Sequence, residues 1–258
     1  MTDAHCHLND GKFSNEEIDS VLQRSINEGV VRMICNGAGV ASSISALTIA
    51  RRFLNVYATV GIHPEESEEV VKYGEDEIKK KLLELCDDPK VVAIGEAGLD
   101  YQNPSPDDIL WQRKIFKINL WLCNKTGLPL VVHNRNADED IREILKGHKT
   151  GVQLHCFVQG KEMLDWAITK KYFVSFGGVL TFKKSTYLRE LARECPRQSV
   201  LIETDSPYLA PEPKRGTRNE PVNVKIVAQT LASTWGVSVE QVDIITSENV
   251  ASLFTKIR

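Results

Sequence analysis

The chain has 258 residues, 42% hydrophobic and 26% charged, proportions of a large globular domain rather than of a disordered or membrane-embedded chain. A formal net charge of −3 excludes global electrostatic attraction to nucleic acid, so a polyanionic ligand would need a local basic patch. Six scattered cysteines without a C-x-x-C read as reduced, packed thiols of an intracellular protein. No charged-then-apolar leader opens the chain, and apolar runs such as Leu128–Val132 are far too short to span a bilayer. The expectation is a cytoplasmic protein, with the nucleus as the alternative, independent of membranes and of any obligatory protein partner, compatible with a monomer.

The predicted elements alternate from the first residue onward. Met1–His5 reads as a strand, and a helix starts at Ser14, where Ser14-x-x-Glu17 is a capping box and Ile18, Val21, Leu22 and Ile26 share one face. Strands are then expected at Val30–Cys35, Val56–Gly61 and Val91–Gly95, with helices at Ile44–Leu54 and Glu75–Cys86 between them. Ser105-Pro106 opens a long helix, with proline at the first helical position, where its missing N–H costs nothing. Leu128–His133, Gly151–His155, Tyr172–Phe176 and Ser199–Glu203 complete the strands. The helices between them are expected near Asp138–Lys146, Lys161–Lys170 and Ser185–Arg193. The C-terminal part reads as a helix over Asn219–Trp235, a second opening at Ser238-x-x-Gln241, and a short last one through Phe254. Eight strand–helix alternations with short connections predict an α/β fold, a (β/α)8 TIM barrel forming a single domain over 1–258. A doubly wound open sheet is disfavoured because no G-x-G-x-x-G follows any strand.

In such a barrel, chemistry gathers at the carboxyl ends of the strands. Those ends carry His5 and His7, His63, Glu96, His133, His155 and, two residues past the last predicted strand, Asp205. Five of the six histidines are in this set and only His148 is left over, a placement unlike random scatter. Asp3, His5 and His7 alternate on one strand face, and closure of the barrel brings Asp205 to them. With Glu96, His133 and His155 from successive strands, there are donors for two metal ions, and Glu96 is the natural bridge. Glu203 lies deeper than Asp205 and reads as support for the ligands rather than as one of them. Arg135 can reach a substrate anion or pair with Asp138. Lys183, Lys184, Lys214, Arg215 and Arg218 fall on the late loops, as solvated charge or as phosphate contacts.

Several stretches together resemble one family. They are Asp3-Ala4-His5-Cys6-His7-Leu8, Gly61-Ile62-His63-Pro64, Gly95-Glu96-Ala97-Gly98-Leu99-Asp100-Tyr101, His133-Asn134-Arg135, His155-Cys156-Phe157, Glu203-Thr204-Asp205-Ser206-Pro207-Tyr208-Leu209 and Arg218-Asn219-Glu220-Pro221. In order and over nearly the whole chain, they are similar to the TatD family of metal-dependent deoxyribonucleases, amidohydrolase-like barrels. The resemblance implies that His5, His7, Glu96, His133, His155 and Asp205 bind metal. The chain departs from the family pattern at Ala97, at Asn119, in the turn Val158-Gln159-Gly160 and in a short N-terminus that leaves strand one weakly paired.

The reaction expected is metal-assisted hydrolysis of DNA phosphodiesters, as an exonuclease on single-stranded ends, with two divalent ions (Mg, Mn or Zn). Asp205 and Glu96 are the expected catalytic residues, with Asp205 as general base. His63, Arg135, Arg215 and Arg218 are the expected substrate contacts. The alternative is an amidohydrolase acting on C–N or ester bonds of a small molecule. Several such enzymes bridge their metals with a carboxylated lysine on strand four, where this chain has Glu96.

Overall fold

The structure, a computed structural model, describes residues 1–257. Chain order begins with β1 (Thr2–Cys6), α1 (Asn15–Asn27), β2 (Arg32–Cys35), α2 (Val40–Arg52), β3 (Val56–Val60), α3 (Ser67–Tyr73) and α4 (Glu75–Cys86). It continues with β4 (Val91–Asp100), α5 (Pro106–Thr126), β5 (Leu130–Arg135), α6 (Asp138–Ile144), β6 (Val152–Leu154) and α7 (Lys161–Thr169). Last come β7 (Phe173–Phe176), α8 (Thr186–Glu194), β8 (Val200–Ile202), α9 (Val224–Trp235) and α10 (Val239–Leu253). The strands are neighbours in chain order from β1 to β8 in one eight-stranded sheet, the (β/α)8 barrel that the alternation predicts. Their apolar residues, such as Ile34, Ile94, Val131, Val174 and Leu201, are fully or almost fully buried, as expected for strands covered on both faces. No helix among the described residues is long and apolar enough to cross a membrane.

The chain divides into two compact units. The first joins Met1–Cys35 to Cys156–Leu253 and holds β1, β2, β7 and β8. Strand β1 is buried along its whole length, and the main-chain nitrogen of Met1 donates to the Gly29 carbonyl at 2.8 Å. It pairs in parallel with β2 from Thr2 to Cys6, so the weak pairing expected for strand one is overturned. At its other side, Cys6 bridges Ser206. Asp3 makes the strongest tie there: it accepts the Thr204 N–H at 2.8 Å and the Thr204 hydroxyl at 2.6 Å. Burial pushes the Asp3 carboxyl well above the usual carboxylate range, although the two Thr204 bonds pull the other way. Helix α10 then pins β8, with Asn249 donating to the carbonyls of Arg197 and Val200 at 2.8 Å each.

The second unit, Asn36–His155 with the C-terminal residues from Phe254, holds β3 to β6. Its core packs Ile115, Phe116, Ile118 and Leu122 of α5 among buried strand residues such as Val60 and Val92. Several elements differ from the sequence reading. Helix α2 starts four residues early because the Val40 N–H donates to the distant carboxylate of Glu69 at 2.8 Å, a cap no local pattern reveals. Helix α3 was not expected: seven residues with one buried apolar side chain, Val70, offer no periodicity to read. Strand β4 runs on to Asp100 instead of stopping at Gly95, because Gly95 (φ 139°) and Gly98 (φ 146°) bend the backbone while it stays paired with β5. In the first unit, the two helices expected after Ser238 are one continuous α10.

Removing the buried hydroxyl that satisfies Asp3 tests this tie. Thr204→Val should lower unfolding free energy by about 1–3 kcal/mol, measured by urea denaturation, while Thr204→Ser should stay close to the parent.

Candidate metal centres

The first unit gathers three of the expected ligands. His5, in β1, and His7, one residue beyond it, turn their Nε2 atoms to within 3.1 Å of each other. Both face Asp205 Oδ1, at 3.6 Å from His5 and 3.5 Å from His7. The main chain sets this geometry: the Asp205 N–H donates to the His5 carbonyl at 2.9 Å, and the His7 N–H to the Ser206 carbonyl at 2.7 Å. Asp205 lies three residues past β8 with φ 55°, a left-handed turn that an aspartate tolerates. Two nitrogens ligating one zinc-like ion at about 2.0–2.1 Å sit about 3 Å apart, so the observed spacing fits a shared cation.

The second unit gathers a buried carboxylate and three imidazoles. Glu96 Oε1 lies 2.8 Å from His155 Nε2, 3.0 Å from His133 Nδ1 and 3.5 Å from His63 Nε2. His133 Nδ1 and His155 Nε2 are 3.3 Å apart. Burial disfavours the Glu96 charge, yet the charges of His155 and His63 and the hydrogen bonds from His133 and His155 hold it well below the usual range. Burial likewise opposes protonation of His133, and hydrogen bonds to Asp100 and Glu96 outweigh it and raise its pKa. His63, Glu96 and His133 form a donor group whose ligand atoms lie within 4.8 Å of one another. A nitrogen-and-oxygen donor set of this kind suits zinc and manganese, and its carboxylates also accept magnesium.

The loops carrying these residues are held by α5. Asn119 accepts the Ile62 N–H and donates to the Ile62 carbonyl, both at 3.0 Å, just before His63. Gln112 does the same for Asp100, at 2.8 Å in each direction. Sequence reading assigned no role to Asp100 or Gln112. The available signal was Asp100 standing four residues after Glu96, on the same face if the strand continues.

Of the remaining expected residues, Glu203 is fully buried and supports the backbone, accepting from the Cys156 N–H at 2.7 Å and from the Ser175 hydroxyl. Arg135 is half-exposed and lies 3.8 Å from Asp100, while Asp138 is taken by Asn134 at 2.8 Å. Arg215 is exposed and stacks its guanidinium 4.2 Å over the Phe182 ring. Arg218 is engaged elsewhere, pairing with Glu17 at 3.2 Å and Glu220 at 3.3 Å and donating to the Lys12 carbonyl at 2.8 Å. None of the six cysteines is in a disulfide; five are buried and Cys156 is intermediate.

A family model for TatD related DNases matches residues 2–255. The chain belongs to the TatD family. Its relatives include the metal-dependent hydrolase YabD of Bacillus subtilis, named as uncharacterized, 36% identical over 258 residues and 98% of each chain. Another is the 3'-5' ssDNA/RNA exonuclease TatD of Salmonella typhimurium, 30% identical with 98% of each chain covered. Among solved structures, the TatD homologue YJJV of Escherichia coli superposes with a TM-score of 0.90 at 26% identity, over 99% of this chain and 98% of that one. This TatD-family chain is therefore a metal-dependent hydrolase.

Gly98 offers a direct test of the second cluster's frame. A Cβ there would fall 1.9 Å from the His133 carbonyl oxygen, at a φ that L-residues rarely adopt, whereas one on Gly147 would meet nothing within 4 Å. Gly98→Ala should cost at least about 2 kcal/mol, and Gly147→Ala should stay within about 0.5 kcal/mol. Thermal unfolding of both checks the contrast.

Proposed function

We propose that this hydrolase cleaves DNA phosphodiester bonds, acting on single-stranded ends with one divalent ion in each cluster, as a cytoplasmic monomer. The observation that carries this reading is the donor chemistry: two imidazoles with one carboxylate in each unit, His5 and His7 with Asp205 in the first and His133 and His155 with Glu96 in the second. The exonuclease name of the Salmonella relative supports the choice of substrate.

When bound, divalent ions supply Lewis acidity, polarising a phosphoryl oxygen and acidifying water. Asp205 then acts as general base, since its carboxylate faces two imidazoles and keeps 14% of its side-chain surface open. Glu96 supplies the negative charge of its cluster. His63 accepts the Glu65 N–H on Nδ1 at 3.3 Å, which leaves its proton on Nε2, the atom facing Glu96. From there it can donate to a phosphate oxygen or a leaving group. Arg215 is the better phosphate contact of the two late arginines, because Arg218 is already engaged by Glu17 and Glu220.

The amidohydrolase alternative draws less support. The lysine nearest in sequence to β4, Lys90, donates Nζ to the carbonyls of Phe53, Leu54 and Val56 at 2.8–2.9 Å. It precedes the strand, so it does not take the place of a bridging carboxylated lysine.

Digestion of end-labelled single- and double-stranded DNA, beside an amide and lactone panel, tests the reading. Chelation should abolish DNA cleavage and manganese or magnesium should restore it. Turnover of the panel with intact DNA would overturn the substrate assignment. Asp205→Asn should retain metal while losing turnover by roughly 10²-fold or more, and Glu96→Gln should lose bound metal as well as activity. Metal analysis beside kinetics separates the two. Arg215→Ala should raise KM and flatten its dependence on salt, since a lost phosphate contact releases fewer counterions.

A further inference from the structure

We infer that Asp100 is a positioning residue for His133: it fixes which imidazole nitrogen carries the proton and so which one is offered to a metal. His133 Nε2 lies 3.0 Å from Asp100 Oδ2, while Nδ1 faces Glu96 Oε1 at 3.0 Å and His155 Nε2 at 3.3 Å. A carboxylate accepts and does not donate, so Asp100 keeps the hydrogen on Nε2, and Nδ1, which faces Glu96 and His155, is the nitrogen that a cation in the cluster would take in place of its hydrogen bond to Glu96. Such a carboxylate behind a ligating histidine fixes ring orientation and raises ligand basicity.

Asp100 is itself built in. It is 8% exposed, and its Oδ1 accepts the Gln102 N–H at 3.0 Å. Gln112 bonds both the N–H and the carbonyl of Asp100, so the main chain is held independently of its side chain. The continued pairing of β4 with β5, with Gly98 opposite His133 and Asp100 opposite Arg135, brings the carboxylate alongside the imidazole. A side chain at Gly98 would separate the two backbones.

This inference rests on the metal reading of the cluster, though not on DNA as the substrate, and its test needs no substrate. Histidine-selective 15N spectra of the zinc-loaded protein, with the His133 signal assigned by loss in His133→Asn, report the protonated nitrogen. The parent should show Nε2–H at His133. Asp100→Leu should shift it toward a mixture, and Asp100→Asn, which keeps an acceptor oxygen, should largely preserve it. Manganese and zinc affinities by chelator competition should fall roughly 10–100-fold in Asp100→Leu, and by less in Asp100→Asn.

An unchanged tautomer and unchanged affinity in Asp100→Leu would overturn the inference. Outright loss of one ion from Asp100→Asn would overturn it too, by making Asp100 a ligand. A parent protein that binds neither metal would overturn the metal reading itself.

Discussion

The bond between Asp3 and Thr204 is the constraint on which the first unit depends. It joins residues 201 positions apart, inside a region with no solvent to compete, and ties the first strand to the segment after the last. An acid so buried resists ionisation, which is why both donors of one threonine are brought to it. Around that anchor, the next main-chain bonds fall into register: Asp205 to the His5 carbonyl, then His7 to the Ser206 carbonyl. Asn219 completes the frame by donating to the carbonyls of Thr204 and Tyr208 at 2.8 and 2.7 Å. The His5, His7 and Asp205 side chains therefore converge because their backbones are already bound to one another.

The second unit solves the same problem differently. Its candidate ligands come from four separate segments, and what fixes two of these is a pair of buried amides on one helix. Gln112 and Asn119 stand seven residues apart on α5, two helical turns, so they emerge on one face. Each grips a peptide by both its N–H and its carbonyl, a two-way bond that leaves no buried polar group of that peptide unmet. At position 119 the short side chain of asparagine makes the full clamp.

Much of this was legible in the sequence because it rests on local pattern. The capping box at Ser14 and the proline after Ser105 mark helix starts, and the apolar runs Val30–Cys35 and Val56–Gly61 mark buried strands with ends within two residues. The recurrence of histidine just after such runs led to the candidate ligands. What stayed hidden depends on partners remote in sequence. Glu69 caps α2 from another segment, and Asp100 reaches His133 only because β4 continues. Gly95 and Gly98 read as punctuation, since glycine usually ends strands, and here they permit a close approach instead. Arg218 was read as solvated charge or a phosphate contact, and the carboxylates of Glu17 and Glu220, its partners here, lie remote in sequence or in an unread turn.

The distribution of basic residues bears on how a chain of net charge −3 would hold a polyanion. Some of its cations are already paired: Arg24 and Arg218 with Glu220, Lys225 with Glu28. Lys214 donates to Asn223. Those left exposed on the late loops, Lys183, Lys184 and Arg215, form a small set, and two of the three sit within a short loop of the first unit. Each neutralised phosphate contributes about one counterion to the salt dependence of binding, so these three cations alone would give a modest salt dependence.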